Sequence, residues 1–393
     1  MKKIYLVGAG AGCNCLTAAA KTAIDSAEVL IGAGRLISDF EKETFEEYRP
    51  NEIKNYIDNS DKNIFCVLLS GDTGFFSGAK KLLTALDGYD VQVLAGISTF
   101  SYFFAALKKD YNDVKFLSLH GREQNFVSYI KRYKRVFFLS GSGKTEEVIK
   151  KLDFYGLCGV KLYIGENLSY PGEKITVGSV KELAGRDFDA LNAVYIENED
   201  ARAEFGSIPD TAFIRGSVPM TKAEIRSLAI AKLGLSENSV LYDIGAGTGS
   251  VSIEAARYLI DGTVYAFERN KEAISLLKEN SIKFAADNIH IIEGTAPDSF
   301  DFDKYPVPTH AFIGGSGGKL EKTLEILFDK NSGLKAVVTA ISLRTAAELT
   351  ALSEKYDTEI CCINAARAEK AGSHLLMKAN NPVYIAVITE KKL

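Results

Sequence analysis

Apolar positions along this chain fall in short runs that alternate with amphipathic stretches, and several runs end in clusters of glycine, serine or aspartate. Ile4–Val7, Val29–Gly32, Ile64–Leu69 and Val91–Leu94 have the length and continuous apolarity of strands buried on both faces. Between them, the alanine-rich Leu16–Ala27, the stretch Ser77–Leu86 and a third stretch running through Leu107 read as helices. Lys115–Leu119, Arg135–Leu139, Val160–Ile164 and Ala193–Glu197 continue the strand series. Strands alternating with helices predict an α/β architecture with a largely parallel sheet, in which ligands gather at the carboxyl ends of the strands.

The polar stretch Glu197–Gly206 interrupts this pattern and reads as a boundary, with domains at 1–203 and 206–393. Beyond it, Thr221-x-x-Glu224 predicts a capping box opening a helix through Leu233. Five strand–helix alternations follow, centred on Val240, Val264, Ile289, Ala311 and Ala336. Two further strands, Thr358–Ala365 and Pro382–Thr389, have no helix between them. Their connection, Ala366–Asn381, reads as a loop longer than a hairpin turn requires, and it carries Arg367, Lys370, His374 and Lys378.

Chemistry concentrates at two glycine loops. Val240–Ile244 runs into Gly245-Ala246-Gly247-Thr248-Gly249-Ser250, with a helix expected from about Val251 to Leu259, and the next strand ends at Glu268. Glycine lets backbone approach a ligand closely, and a helix start offers free N–H groups. An acid ending the following strand can accept hydrogen bonds from two ribose hydroxyls. The G-x-G-x-G spacing favours S-adenosylmethionine over a dinucleotide, which expects G-x-G-x-x-G; a turn that only packs tightly is the plainer alternative. The second loop, Gly8-Ala9-Gly10-Ala11-Gly12, follows the first strand and has Cys13 where a dinucleotide site would have its third glycine. Two such loops in one chain suggest two ligand-binding domains in tandem. Ser140-Gly141-Ser142-Gly143-Lys144-Thr145 resembles half a P-loop, but Phe138 stands at the first glycine position, so it reads as a strand–turn–helix junction.

Composition narrows the classes. Of 393 residues, 46% are apolar and 25% charged, and the formal net charge is −4, which suits a globular protein and gives no footprint for nucleic acid. The apolar run after the first lysines is too short for a signal peptide, and no run approaches a membrane span. A soluble cytoplasmic protein with no membrane partner is expected. The six cysteines form no C-x-x-C pair and the four histidines are scattered, so no metal site is expected. Cys13 and Cys15 read as small packing residues beside the first glycine loop.

Four segments of the second half, Val218–Arg226, Asp243–Ser250, Glu293–Pro297 and Phe312–Ser316, resemble the class I S-adenosylmethionine-dependent methyltransferases, and within them the decarboxylating precorrin/cobalt-precorrin C15-methyltransferase family. In the first half, Leu6–Gly12, Leu69–Gly78, Gly96–Thr99, Ser118–Arg122 and Gly165–Glu173 are similar to the tetrapyrrole methylase family in its C5-methyltransferase branch. Ala11 and Thr73 stand where that family usually has proline, which removes a φ restraint from each loop. Together the halves resemble the fused C5,15-methyltransferases of corrin biosynthesis.

The resemblance implies an N-terminal domain of two α/β subdomains with a cofactor cleft between them. It implies a C-terminal Rossmann-like domain with a seven-stranded, mostly parallel sheet. It also implies one S-adenosylmethionine per domain, two methyl transfers to a tetrapyrrole and loss of carbon dioxide from a ring acetate. Gly245, Ala246, Gly247, Thr248, Gly249, Glu268, Ala296 and Thr221 would line the C-terminal cofactor site, Thr221 serving equally as a cap. Ala11, Asp72, Phe75, Ser98 and Thr99 would line the N-terminal one, with a helix cap as the alternative for Asp72. His120 and Arg122 are candidates for the chemistry, although His120 is also legible as a structural histidine. Arg367 and Lys370 are candidates for the substrate's carboxylates. A homo-oligomer is expected. Activity on another tetrapyrrole or a protein, a nicotinamide oxidoreductase with two Rossmann domains, and a non-catalytic cofactor or tetrapyrrole binder remain open alternatives.

Overall fold

The computed structural model describes residues 2–10, 15–118, 125–141, 143–202 and 206–391. The chain divides into two compact units. One comprises Met1–Glu123, Tyr133–Lys150 and Cys158–Glu199, and the other Gln124–Arg132, Lys151–Leu157 and Asp200–Leu393.

The first unit holds two five-stranded sheets. Strands β1 (Lys3–Gly8), β2 (Val29–Gly32), β3 (Glu43–Glu46), β4 (Ile64–Leu69) and β5 (Asp90–Leu94) pair in parallel in the order β3-β2-β4-β1-β5. Alternate residues of these apolar runs serve opposite faces. Val7, Leu30, Cys66 and Leu68 pack against Ala20, Ile24 and Leu36 on one side. Ile4, Leu6, Val29, Phe65 and Val67 pack against Ile53, Ile57 and Leu82 on the other. Helices on both faces are what a continuous apolar strand requires. The second sheet, β6 (Lys115–Ser118), β7 (Arg135–Leu139), β8 (Lys161–Glu166), β9 (Lys174–Ser179) and β10 (Asn192–Glu197), is mixed, ordered β6-β7-β10-β8-β9. Its core is aromatic, built on Phe103, Phe104, Phe137, Tyr163 and Tyr195.

The second unit carries β11 (Val240–Ile244), β12 (Thr263–Glu268), β13 (Ile289–Glu293), β14 (His310–Ile313), β15 (Lys335–Ala340), β16 (Asp357–Ile363), β17 (Ala366–Ala371), β18 (His374–Ala379) and β19 (Val383–Thr389). Seven of these form a sheet ordered β13-β12-β11-β14-β15-β19-β16, parallel except for β19, which runs antiparallel to both neighbours. Strand order reverses at β11, so a crevice opens outside the carboxyl ends of β11 and β14. Helices Ala223–Leu233 and Ser250–Ala256 cover one face, and Leu320–Lys330 and Leu343–Lys355 the other.

Three local expectations differ from the structure. The helix opening at Ala223 is capped by Lys222 without a side-chain cap bond, so the Thr221–Glu224 capping box does not form. Glu224 instead faces Arg367, whose Nε donates to its Oε1 at 2.8 Å, and the Arg226 guanidinium donates to the Thr221 carbonyl at 2.7 Å. No helix joins β13 to β14. The stretch Ala366–Asn381 is not an irregular loop: β17 and β18 pair antiparallel as a largely exposed two-stranded ribbon around Gly372, whose φ is +63°. Its alternation is masked in the sequence because both faces are exposed, which leaves no apolar period to read.

Candidate functional site

The crevice in the second unit is a cleft of about 470 Å³ at the carboxyl ends of its strands. Gly245 and Gly247 sit in the left-handed region with φ of +73° and +57°. At Gly245 a Cβ would lie 2.9 Å from the Gly315 carbonyl oxygen, so only glycine lets the β11 and β14 loops approach this closely. Glu268, at the end of β12, is braced by backbone amides. Its Oε2 accepts from Gly247 at 2.8 Å, and its Oε1 accepts from Arg269 and Asn270, each at 2.8 Å. Ala246, Thr248, Ala296 and Thr221 also line the cleft. Gly249 does not; it caps the helix Ser250–Ala256 from the left-handed region at φ +80°.

Beneath the loop, Asp243 is fully buried and takes the Ser252 hydroxyl on Oδ2, while Oδ1 has no hydrogen-bond partner. Burial pushes its carboxyl up to about 7, the Ser252 bond opposing that rise and the Glu268 charge adding to it. Thr248 Oγ1 is likewise buried without a partner.

Behind the cleft wall lies a buried ionic network. Arg226, with no exposed surface, binds Glu254 Oε2 through Nε at 2.6 Å and Asp210 Oδ1 through Nη1 at 3.2 Å. Arg367 extends this network, its Nη1 reaching Asp210 Oδ2 at 2.9 Å, and both acidic partners hold its guanidinium firmly charged. Neither Arg367 nor Lys370 lines the cleft. The cleft's own cations are Lys222 and Arg269, which the sequence reading passed over. Arg269 follows the strand-end acid and was findable from that position. Lys222 was hidden by the expected capping box, and Ile341 follows β15 while Val383 opens β19, two strands whose antiparallel pairing has no signature in local sequence.

In the first unit, a cleft of about 450 Å³ opens between the carboxyl end of the parallel sheet and the aromatic second sheet. Gly8, Gly71 and Gly96, of which Gly71 lines the cleft, pack backbone on backbone: a Cβ on Gly96 would meet the Gly71 oxygen at 2.3 Å and the Gly8 oxygen at 2.5 Å. Asp72 does not cap a helix. Its Oδ1 accepts from Gly74 at 2.8 Å and its Oδ2 from Gly96 at 3.0 Å, which ties the β4 and β5 loops together. Asp72, Phe75 and Thr99 line this cleft, and Phe75 packs on Phe100 with ring centroids 4.5 Å apart. Ser98 is a buried helix cap, its hydroxyl accepting from the Ser101 amide at 3.2 Å. Ala11, His120 and Arg122 lie outside the described residues. The Ser140–Thr145 junction is strand then helix, as expected, but it also contributes to the site. Ser140, Gly141 and Asn192 line the cleft, with Thr145 bonding Asn192 Oδ1 behind them at 2.8 Å.

Among the described residues no group of three or more metal-binding side chains occurs, and no helix is long and apolar enough to cross a membrane.

A glycine loop leaving the interior strand β11 of a seven-stranded sheet, with an acid ending the adjacent strand, defines the second unit as an α/β domain of the methyltransferase class. Comparison with known proteins agrees. The family model described as precorrin methyltransferase domain matches residues 211–390, and that of the tetrapyrrole (corrin/porphyrin) methylases matches residues 3–184. A probable cobalt-precorrin-6B C(15)-methyltransferase (decarboxylating) from Pyrobaculum calidifontis is 42% identical over 45% of this chain and 93% of its own length. The cobalt-precorrin-6B C(15)-methyltransferase (decarboxylating) of Salmonella typhimurium is 38% identical over 45% of this chain and 92% of its own. The crystal structure of a precorrin-6y C5,15-methyltransferase from Geobacter metallireducens is 34% identical, covering 47% of this chain and 97% of that one, with a TM-score of 0.44. The chain belongs to the decarboxylating cobalt-precorrin-6B C(15)-methyltransferase family, with a tetrapyrrole methylase domain preceding that region.

Proposed function

We propose that this chain methylates a corrin precursor, precorrin-6B or its cobalt form, at C5 and C15 and removes carbon dioxide from the C12 acetate, using one S-adenosylmethionine in each cleft. In this reading the two catalytic domains are residues 1–203 and 206–393. The observation that carries the reading is the C-terminal cleft, where a tight glycine loop and a backbone-braced acid lie on neighbouring strands of a domain whose relatives are named as decarboxylating C(15)-methyltransferases.

S-adenosylmethionine supplies an electrophilic methyl group that needs little activation. The protein's task is therefore alignment and exclusion of water. The residues present fit that molecule: the Gly245–Gly247 backbone passes where a side chain would block the loop's approach to Gly315. Glu268 is held in place by three amides, which leaves about one carboxylate lone pair, on Oε2, for a ribose hydroxyl. Ala296 gives a small apolar wall for adenine, and Thr221 stands at the edge of the same cleft. In the N-terminal cleft, Asp72 fixes the loop spacing while Phe75 and Thr99 face the ligand space. Ala11, His120 and Arg122 complete that site in this reading, and the assembly is a cytoplasmic homo-oligomer.

Incubation of the full chain with S-adenosylmethionine and a precorrin-6B, metal-free and cobalt-bearing in parallel, tests this by mass spectrometry. The expected product has gained two methyl groups and lost one carbon dioxide. Cofactor binding with no change in tetrapyrrole mass would overturn the catalytic reading.

A further inference from the structure

The C-terminal cleft is asymmetric in a way the cofactor does not account for. Glu268 and Ala296, the ribose and adenine contacts of the reading above, stand over β12 and β13 on one side of the glycine loop. The cleft continues to the other side, over β14, β15 and β19. With strands about 4.8 Å apart, β15 lies some 14 Å from β12, so this half extends well past the ribose position.

What lines that half is unusual. Ile341, immediately after β15, is 76% exposed, and Leu343, two residues on, is 80% exposed. Ile341 lines the cleft; Leu343 is not part of that lining but opens the helix Leu343–Lys355 directly after it. Lys222 enters from the same direction, because it caps the helix whose Ile225, Ala229 and Ile230 pack over Phe312, Val337 and Ile385 of β14, β15 and β19. Among the described residues no carboxylate pairs with the Lys222 ammonium, whereas Arg226 and Arg367 nearby are both bound to acids.

We infer that Ile341, Leu343 and Lys222 form the methyl-acceptor side of this cleft. Ile341 and Leu343 make an apolar shelf on which a flat macrocycle lies, and Lys222 receives one of its peripheral carboxylates. The inference rests on the proposed function and names the residues that would recognise its substrate. Exposed apolar groups continuous with a largely apolar cleft lining mark a binding surface. An unpaired ammonium beside them suits a ligand that is apolar in its ring and anionic at its edge.

The test is kinetic, on the full chain, with carbon dioxide release reporting on the C-terminal cleft. I341S/L343S and, separately, K222Q are each expected to raise the KM for the tetrapyrrole at least tenfold. Calorimetric affinity for S-adenosylmethionine should stay within twofold, and K222R should restore most of the lost KM. An unchanged KM in both variants overturns the inference. So does a K222Q variant that loses cofactor affinity by the same factor, since the ammonium then serves the methyl donor's own carboxylate. Failure of the underlying reading is distinct: the unaltered chain would then release no carbon dioxide from either form of the substrate, and the acceptor assignment would fall with it.

Discussion

The carboxylate of Glu268 and the amide of Gly247 are joined by a 2.8 Å hydrogen bond, so the strand-end acid holds the glycine loop that it faces. Replacing Glu268 by alanine therefore removes a ligand acceptor and releases the loop together. Affinity for S-adenosylmethionine at the C-terminal site should fall by about 1.5–3 kcal/mol, roughly 10- to 100-fold. Calorimetry resolving two sites would check this, and unchanged affinity at both would remove Glu268 from the ribose position.

A substitution at Gly96 would test whether the two clefts work independently. An added Cβ would lie 2.3 Å from the Gly71 oxygen, against backbone that cannot step aside. Gly96→Ala should push apart the β1, β4 and β5 loops and break the amide hydrogen bond that braces Asp72 in the N-terminal cleft, abolishing cofactor binding and one methylation there. Decarboxylation should continue at near its normal rate. Product masses after single turnover would report both, and loss of decarboxylation would mean that the clefts are coupled.

Asp243 should make stability pH-dependent. Its folded carboxyl is held at about 7 by burial, whereas an unfolded chain holds it near 4. Between these values the folded state keeps a proton that the unfolded state has lost, so stability falls as pH rises from about 4 to about 7 and then levels. The difference in unfolding free energy between the unaltered chain and Asp243→Asn should change by roughly 2–4 kcal/mol across that window. Urea unfolding at pH 5, 6, 7 and 8 would measure it, and a flat difference would mean that the carboxyl titrates normally.

Glu254 neutralises a guanidinium that has no access to solvent, with only 2.6 Å between Nε and Oε2. Glu254→Ala should destabilise the second unit by about 3–5 kcal/mol, because Arg226 is left buried and only partly compensated by Asp210. The double change Glu254→Leu with Arg226→Met should cost less than the single one, since no uncompensated charge remains. Thermal unfolding of the three variants would test the order, and a double variant less stable than the single would count against it.

How much of this was legible in the sequence depended on whether the cause was local. The strands β1, β4, β11 and β12 were readable because apolar runs must be covered on both faces. The Gly245–Gly249 loop and Glu268 were readable because close backbone approach and a strand-end acid leave fixed spacings. The ribbon β17–β18 was not, since exposed strands carry no apolar period, and the Thr221 capping box does not form because the helix is capped one residue later, at Lys222, while Glu224 pairs with Arg367, 143 positions away. The sequence by itself determined which segments are strands, where the two glycine loops fall and which family they resemble. Only the tertiary structure decided that Asp72 braces Gly96, that Arg367 is bound to acids rather than available to a ligand, and that Lys222 and Ile341 share a cleft with Glu268. Those outcomes depend on which distant groups meet, and burial and charge pairing settle that only once the strands have taken their order in the sheet.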